Sequence, residues 1–298
     1  MTFVTMGELL TEEAERGEGF SLRMPHPALT SSCKPDEGSL TLVLAESGVG
    51  KSQFCTMLAR YWTATGYQAA YVSCEDMKEA FYKRHRVTRP QSPEGRTLLA
   101  FLNTTPTLDA VLKAYDAAVA AGCRAVVVDY LTALQEEGDA GYAFYKRVAS
   151  TLRAKALETR TIAVLGAQSR PYQRKAGSEV GVRSFPSQSQ VMGSTMVYQV
   201  AENVIGLIRG DQDDTVLASV LKSKVGGLDG KVAEFRIVKD YGFQWHDLGG
   251  GDRPGGPERV EPVDLGEWDV VSDAPATRDD EHVQGPDSGA PVDVELDW

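Results

Sequence analysis

The stretch Gly38–Gln53, GSLTLVLAESGVGKSQ, decides how the rest of the chain is read. Leu40–Leu44 is a short apolar run that suits a buried strand, and Glu46–Gly50 supplies the turn after it. In such a turn successive backbone N–H groups point into one concavity, where an anion fits. Lys51 and the hydroxyl of Ser52 follow, and a helical pattern begins whose N-terminal dipole end adds to the same site. Ala45, Glu46, Ser47, Gly48, Val49, Gly50, Lys51, Ser52 and Gln53 together read as a phosphate-binding loop. In it Lys51 reaches the β- and γ-phosphates of a nucleotide and Ser52 offers its hydroxyl to Mg²⁺. One position departs from the pattern G-x-x-x-x-G-K-[ST], because Ala45 stands where the first glycine is expected.

Composition sets the frame around this loop. With 298 residues, 42% of them hydrophobic, the chain can bury a sizeable core. The formal charge of −11 is not evenly spread: residues 251–298 hold 14 acids and 3 arginines, leaving 28 acidic and 28 basic residues in 1–250. The body is neutral, so the net charge does not exclude a nucleic-acid partner. Cys33, Cys55, Cys74 and Cys123 form no C-x-x-C pair, which suggests neither a zinc site nor a disulfide framework and fits a reducing cytoplasm. Glu8, Glu12, Glu13 and Glu15 replace the basic start of a secretory signal, and no apolar run approaches membrane-spanning length. Three regions are expected: residues 1–18 as a helix that packs on its own domain or docks on a neighbouring subunit, 19–248 as the core, and 249–298 as a disordered acidic tail.

Along the core, Phe54, Met57, Leu58 and Tyr61 follow helical spacing, and the helix ends at Gly66. Strands are expected at Gln68–Ser73 and Leu98–Leu102. Thr105 or Thr107 then caps a helix with the stripe Leu108, Val111, Leu112, Tyr115 and Val119. Ala125–Val128 is a fully apolar strand that stops at Asp129. A helix at Tyr142–Glu158 and a strand at Thr161–Leu165 follow. Continuously apolar strands alternating with helices argue for a parallel sheet covered on both faces. From Asn203 the pattern becomes strands joined by tight turns, Val204–Ile208, Val216–Lys222, Val232–Ile237 and Phe243–His246, which predicts an antiparallel extension.

Several residues at strand ends carry chemistry. Asp129, closing a buried strand beside the phosphate loop, is placed to hold the magnesium shell. Tyr130 follows it, so a carboxylate that activates water comes from elsewhere. Glu75, just past the strand Tyr71-Val72-Ser73, is the candidate; its other reading is an acid favouring the N-terminus of the next helix. Gln168 ends another strand, where an amide either senses the γ-phosphate or is simply solvated. The following stretch holds Arg170, Arg174, Lys175 and Arg183 among glycine and serine, with Tyr172 and Phe185 nearby. Cations and rings on flexible backbone suit single-stranded nucleic acid, although a charge run is also what a solvated face looks like. Lys83, Arg84, Arg86 and Arg89 form a second basic cluster. Lys222 and Lys224 end a strand, where cations in a ring of subunits can reach a neighbour's γ-phosphate.

Taken in order, LAESGVGKSQF, YVSCEDM, AVVVDYLTAL, TIAVLGAQSR and LKSKVGG resemble the motor domain of DnaB-type replicative helicases, within the RecA-like ATPase class. FLNTTPTLDAVLKAYDAA resembles the segment leading to that family's magnesium-binding strand, and the likeness spans roughly residues 19–246. The family accepts Ala or Gly where Ala45 stands. The resemblance implies a RecA-like P-loop NTPase core, α/β with a mostly parallel sheet, helices on both faces and antiparallel C-terminal strands. It also implies a hexameric ring that uses ATP and Mg²⁺ to move on single-stranded DNA in replication, with Lys222 and Lys224 completing a neighbour's site. Two departures stand out: only a short helix takes the place of an N-terminal helical domain, and Lys224 stands where the helicases more often carry arginine. The latter keeps open a RecA-like recombination or strand-annealing protein acting as a filament. A third reading is a regulatory ATPase that binds protein and no nucleic acid. The tail ends in Asp293-Val294-Glu295-Leu296-Asp297-Trp298, which either contacts a replication protein or only solubilises the chain.

Overall fold

The computed structural model describes residues 19–75, 81, 98–102, 104–134, 141–170, 184–192, 195–212, 214–224, 231–238 and 242–244. The helix expected near the N-terminus, the cluster Lys83–Arg89, the stretch holding Arg174, Lys175 and Arg183, the Gly226-Gly227 turn and the acidic tail lie outside them.

Nine strands form one sheet: β1 (Leu40–Ala45), β2 (Ala69–Ser73), β3 (Leu99–Phe101), β4 (Ala125–Asp129), β5 (Ile162–Gln168), β6 (Asn203–Arg209), β7 (Thr215–Ser223), β8 (Val232–Val238) and β9 (Gly242–Gln244). Their spatial order is β3-β2-β4-β5-β1-β6-β7-β8-β9. Pairing is parallel from β3 to β6 and antiparallel from β6 to β9. The parallel sheet and the antiparallel extension stand where the sequence pattern put them. The strand at Thr161–Leu165 runs on to Gln168, because β5 is paired on both sides and continues beside β1 as far as Ala45.

Period-two alternation divides the apolar residues of the central strands between two cores. On one face Val43, Tyr71, Val127, Val164 and Ile205 pack with helix α2 (Lys51–Ala64) and with Leu29 of the short helix α1 (Pro27–Thr30). On the other, Leu42, Leu44, Val72, Val126, Val128 and Leu165 pack with α3 (Leu108–Ala120), α4 (Tyr142–Thr159) and Val197 of α5 (Thr195–Val200). Thr107 caps α3, accepting from the Ala110 N–H at 3.3 Å. The buried face of α2 differs from the expected stripe. Phe54, Cys55, Leu58, Ala59, Trp62 and Thr63 are buried, while Met57 and Tyr61 only border the core. Trp62 turns inward because its indole N–H finds the Arg23 carbonyl at 2.7 Å, which satisfies its polar atom inside the core.

Candidate nucleotide site

The C-terminal ends of β1, β2, β4 and β5 converge on the N-terminus of α2. Gly50 caps that helix with φ 114°, and Gly48 has φ 75°. Both values lie in the left-handed region that side chains with a Cβ adopt only at a cost, so these two glycines let the loop fold back over the helix start. Val49 is 7% exposed and joins the core, which ties the middle of the loop down. Arg209, at the end of β6, donates from its guanidinium to the Gly48 carbonyl and holds the loop from the other side.

Lys51 reaches from the first turn of α2 to Asp129, with Nζ 2.5 Å from Oδ1. The pair is enclosed, the side chains being 11% and 3% exposed. Tyr71 on β2 donates its phenol to the other carboxylate oxygen at 2.7 Å. Burial pushes the Asp129 carboxyl up, but the Lys51 charge and hydrogen bonds from Lys51, Ser52 and Tyr71 outweigh it and hold the group below its ordinary value. Asp129 is therefore an ionised carboxylate beside the Ser52 hydroxyl, which is the donor set a magnesium–nucleotide complex uses when phosphates and water supply the rest. Among the described residues there is no group of three or more His, Cys, Asp or Glu that could hold a metal by itself.

Three residues of this cluster carry no sequence motif. Tyr71 reads as one more apolar residue in a strand, and its hydroxyl acquires a partner only through the adjacency of β2 and β4. Gly166 lies on β5 against the pair, and a Cβ there would stand 2.9 Å from Asp129 Oδ1 and 3.4 Å from Lys51 Nζ. Tyr130 places its ring 4.0 Å from Lys51 Nζ and donates its hydroxyl to Glu75 Oε1 at 2.8 Å. The sequence offered one signal for Tyr130, namely its place directly after Asp129.

The other predicted residues divide. Glu75 is exposed and stands two residues past β2, whose last residue Ser73 is in register with Asp129. Gln168 ends β5 opposite Ala45, and its carbonyl accepts from the Met192 N–H at 2.9 Å. Arg170 is exposed, its backbone N–H bonded to the Gln190 carbonyl at 2.7 Å.

Lys222 and Lys224 lie at the far end of the sheet. Ser223 is in register with Asn203, and Thr41 near the start of β1 is in register with the same residue, so this end is the one remote from the phosphate loop. The two lysines are not equivalent. The Lys222 ammonium donates to the carbonyls of Tyr198, Gln199 and Ala201 at 2.9, 2.9 and 2.6 Å, closing the C-terminus of α5. Burial and the neighbouring Lys224 charge lower its pKa, against the pull of Glu202. Lys224 is about half exposed and pairs with Glu202 at 3.1 Å. Glu202 also takes Arg153 Nε at 2.6 Å and the Leu40 N–H at 3.0 Å.

A mostly parallel sheet with helices on both faces and a glycine-shaped loop at the strand ends defines the RecA-like α/β fold. Among solved structures, the chain is similar to an ATPase domain of DnaB-like helicase type, with TM-score 0.56 and 15% identity over 69% of this chain and 84% of that one. It is also similar to a DnaB-like replicative helicase described with its interactions with primase, with TM-score 0.57 and 17% identity over 69% of this chain and 57% of that one. The chain thus has the fold of DnaB-type helicase motor domains. No protein-family profile matches it, and no curated protein does. Among the described residues no helix is long and apolar enough to cross a membrane.

Proposed function

We propose that this chain is an ATP-hydrolysing motor of DnaB type that acts on single-stranded DNA in replication. The observation that carries the reading is the enclosed Lys51–Asp129 pair at the mouth of a glycine-shaped loop. In the absence of nucleotide the two charges neutralise each other. With ATP, Lys51 turns to the β- and γ-phosphates, and Ser52 and Asp129 hold Mg²⁺, which supplies charge neutralisation at the phosphates. Glu75 accepts a proton as water attacks the γ-phosphorus and the bond to the β-phosphate oxygen breaks, leaving ADP and phosphate. Gln168 stands near enough to the loop to report the γ-phosphate to the segment that begins at Arg170. Arg170, Arg174, Lys175 and Arg183 take the phosphates of the DNA strand.

Lys224 completes the site of a neighbouring copy. Support comes from its position: β1 alone separates its end of the sheet from the phosphate loop by about 16 Å along the strand, longer than a lysine side chain. A cation there serves a triphosphate only across a head-to-tail interface, the kind that closes into a ring. Lys222 anchors α5 and holds the strand end from which Lys224 projects.

Complementation between two inactive variants tests this. Lys51→Ala and Lys224→Ala are each expected to lose DNA-stimulated ATPase activity. Mixed in equal amounts and reassembled, they regain about a quarter of wild-type activity, because that share of head-to-tail interfaces pairs an intact loop with an intact Lys224. A mixture as inactive as its components would overturn action across the interface.

A further inference from the structure

We infer that Tyr130 is a positioning residue that aims Glu75 at the hydrolytic water. This deepens the functional reading above, since it rests on Glu75 being the group that accepts the water's proton.

A carboxylate directly after Asp129 would be placed by the strand itself, but this chain has a tyrosine there. Glu75 comes instead from the adjacent strand. It is exposed, and its backbone N–H is held through the Ser73 hydroxyl at 3.3 Å. A glutamate so exposed samples many rotamers, most of them unproductive. The register of β2 and β4 brings Ser73 level with Asp129, and the Cys74 N–H bonds to the Asp129 carbonyl at 3.2 Å. The two strand ends therefore leave the sheet side by side, and the Tyr130 phenol meets Glu75 Oε1 at 2.8 Å. One carboxylate oxygen is fixed by this bond and the other stays open to water.

The tyrosine is itself held in place. Its ring lies 4.0 Å from Lys51 Nζ, close to the same cation that the β- and γ-phosphates would engage. Burial, and then the hydrogen bond to Glu75, push the phenol up to about 12, so near neutrality it remains a donor. Tyr130 thus touches both the loop lysine and the water-activating carboxylate, and it does so without entering the reaction.

Tyr130→Phe tests the inference because it removes the hydroxyl and keeps the ring over Lys51. Its kcat for ATP is expected to fall about ten- to a hundredfold, the range for a misaimed catalytic group, while ATP affinity stays within about twofold. Glu75→Gln should abolish turnover, and adding Tyr130→Phe to it should cost nothing further. If Glu75→Gln is inactive but Tyr130→Phe turns over at the wild-type rate, or binds ATP as weakly as it hydrolyses it, the positioning role is wrong and the reading of Glu75 stands. If Glu75→Gln hydrolyses ATP normally, the reading of Glu75 fails and the inference with it.

Discussion

Replacing Gly166 by alanine probes the site at the point where the fold leaves it least room. The added Cβ would stand 2.9 Å from Asp129 Oδ1 and 3.4 Å from both Cδ and Nζ of Lys51. The first distance is too short to persist, so something must move. The carboxylate cannot swing away freely, because Lys51 holds one oxygen at 2.5 Å and Tyr71 the other at 2.7 Å. Overpacking of this kind costs about 1–3 kcal/mol, and weakening a hydrogen bond to a charged group about 1.5–3 kcal/mol. The strain relaxes by one route or the other, so about 2 kcal/mol is the expected net loss at the site. For nucleotide binding that is roughly a 30-fold weaker affinity in the presence of Mg²⁺. Stability falls less, by about 1 kcal/mol, because alanine reduces the freedom of the unfolded chain by about 0.4–1 kcal/mol relative to glycine. Titration with a fluorescent ATP analogue and urea denaturation of the nucleotide-free protein measure the two separately. Wild-type affinity in Gly166→Ala would refute the claim that the close approach of β5 to the Lys51–Asp129 pair shapes the site.

Three further outcomes are expected. Asp129 has a lower pKa folded than unfolded, so the Lys51–Asp129 pair stabilises fully above the ordinary carboxylate range, and that contribution is lost as pH falls through it toward the folded value. Lys51→Ala should lose turnover and, near neutrality, about 3 kcal/mol of nucleotide-free stability by leaving a buried carboxylate without its cation. The deficit should shrink in acid, and urea midpoints that differ from wild type equally at all pH values would contradict the pairing. Lys222→Ala frees three carbonyls at the end of α5 and should cost about 1–2 kcal/mol. Lys224→Ala removes a half-exposed pair and should cost under about 1 kcal/mol; equal costs in thermal unfolding would show that the two lysines are not distinguished as described. Deleting residues 251–298 removes a net charge of −11 and is expected to tighten binding of single-stranded DNA at low salt. Unchanged affinity in that deletion, with unchanged binding of replication proteins, would dispose of a role for the acidic tail.

Local chemistry determined a good part of this protein. An apolar run, glycines where left-handed backbone is needed and a lysine-hydroxyl pair suffice to mark a phosphate loop, because each requirement acts within a dozen residues. Continuous apolar strands alternating with helical stripes likewise require a sheet covered on both faces, and Gly48, Gly50, Lys51, Ser52 and Asp129 were legible on those grounds. What the sequence could not decide was which residues meet across strands. Tyr71 and Gly166 look like ordinary strand positions until the order β2-β4-β5 brings them against Asp129. The same holds at the far end of the sheet. There Lys222 and Lys224, alike in a string of letters, separate into a cation bound to three carbonyls and a half-exposed one beside Glu202. Strand order and register are set by packing over the whole sheet, so contacts between residues far apart in the chain, such as Lys51 with Asp129 or Lys224 with Glu202, exist only once that packing is complete.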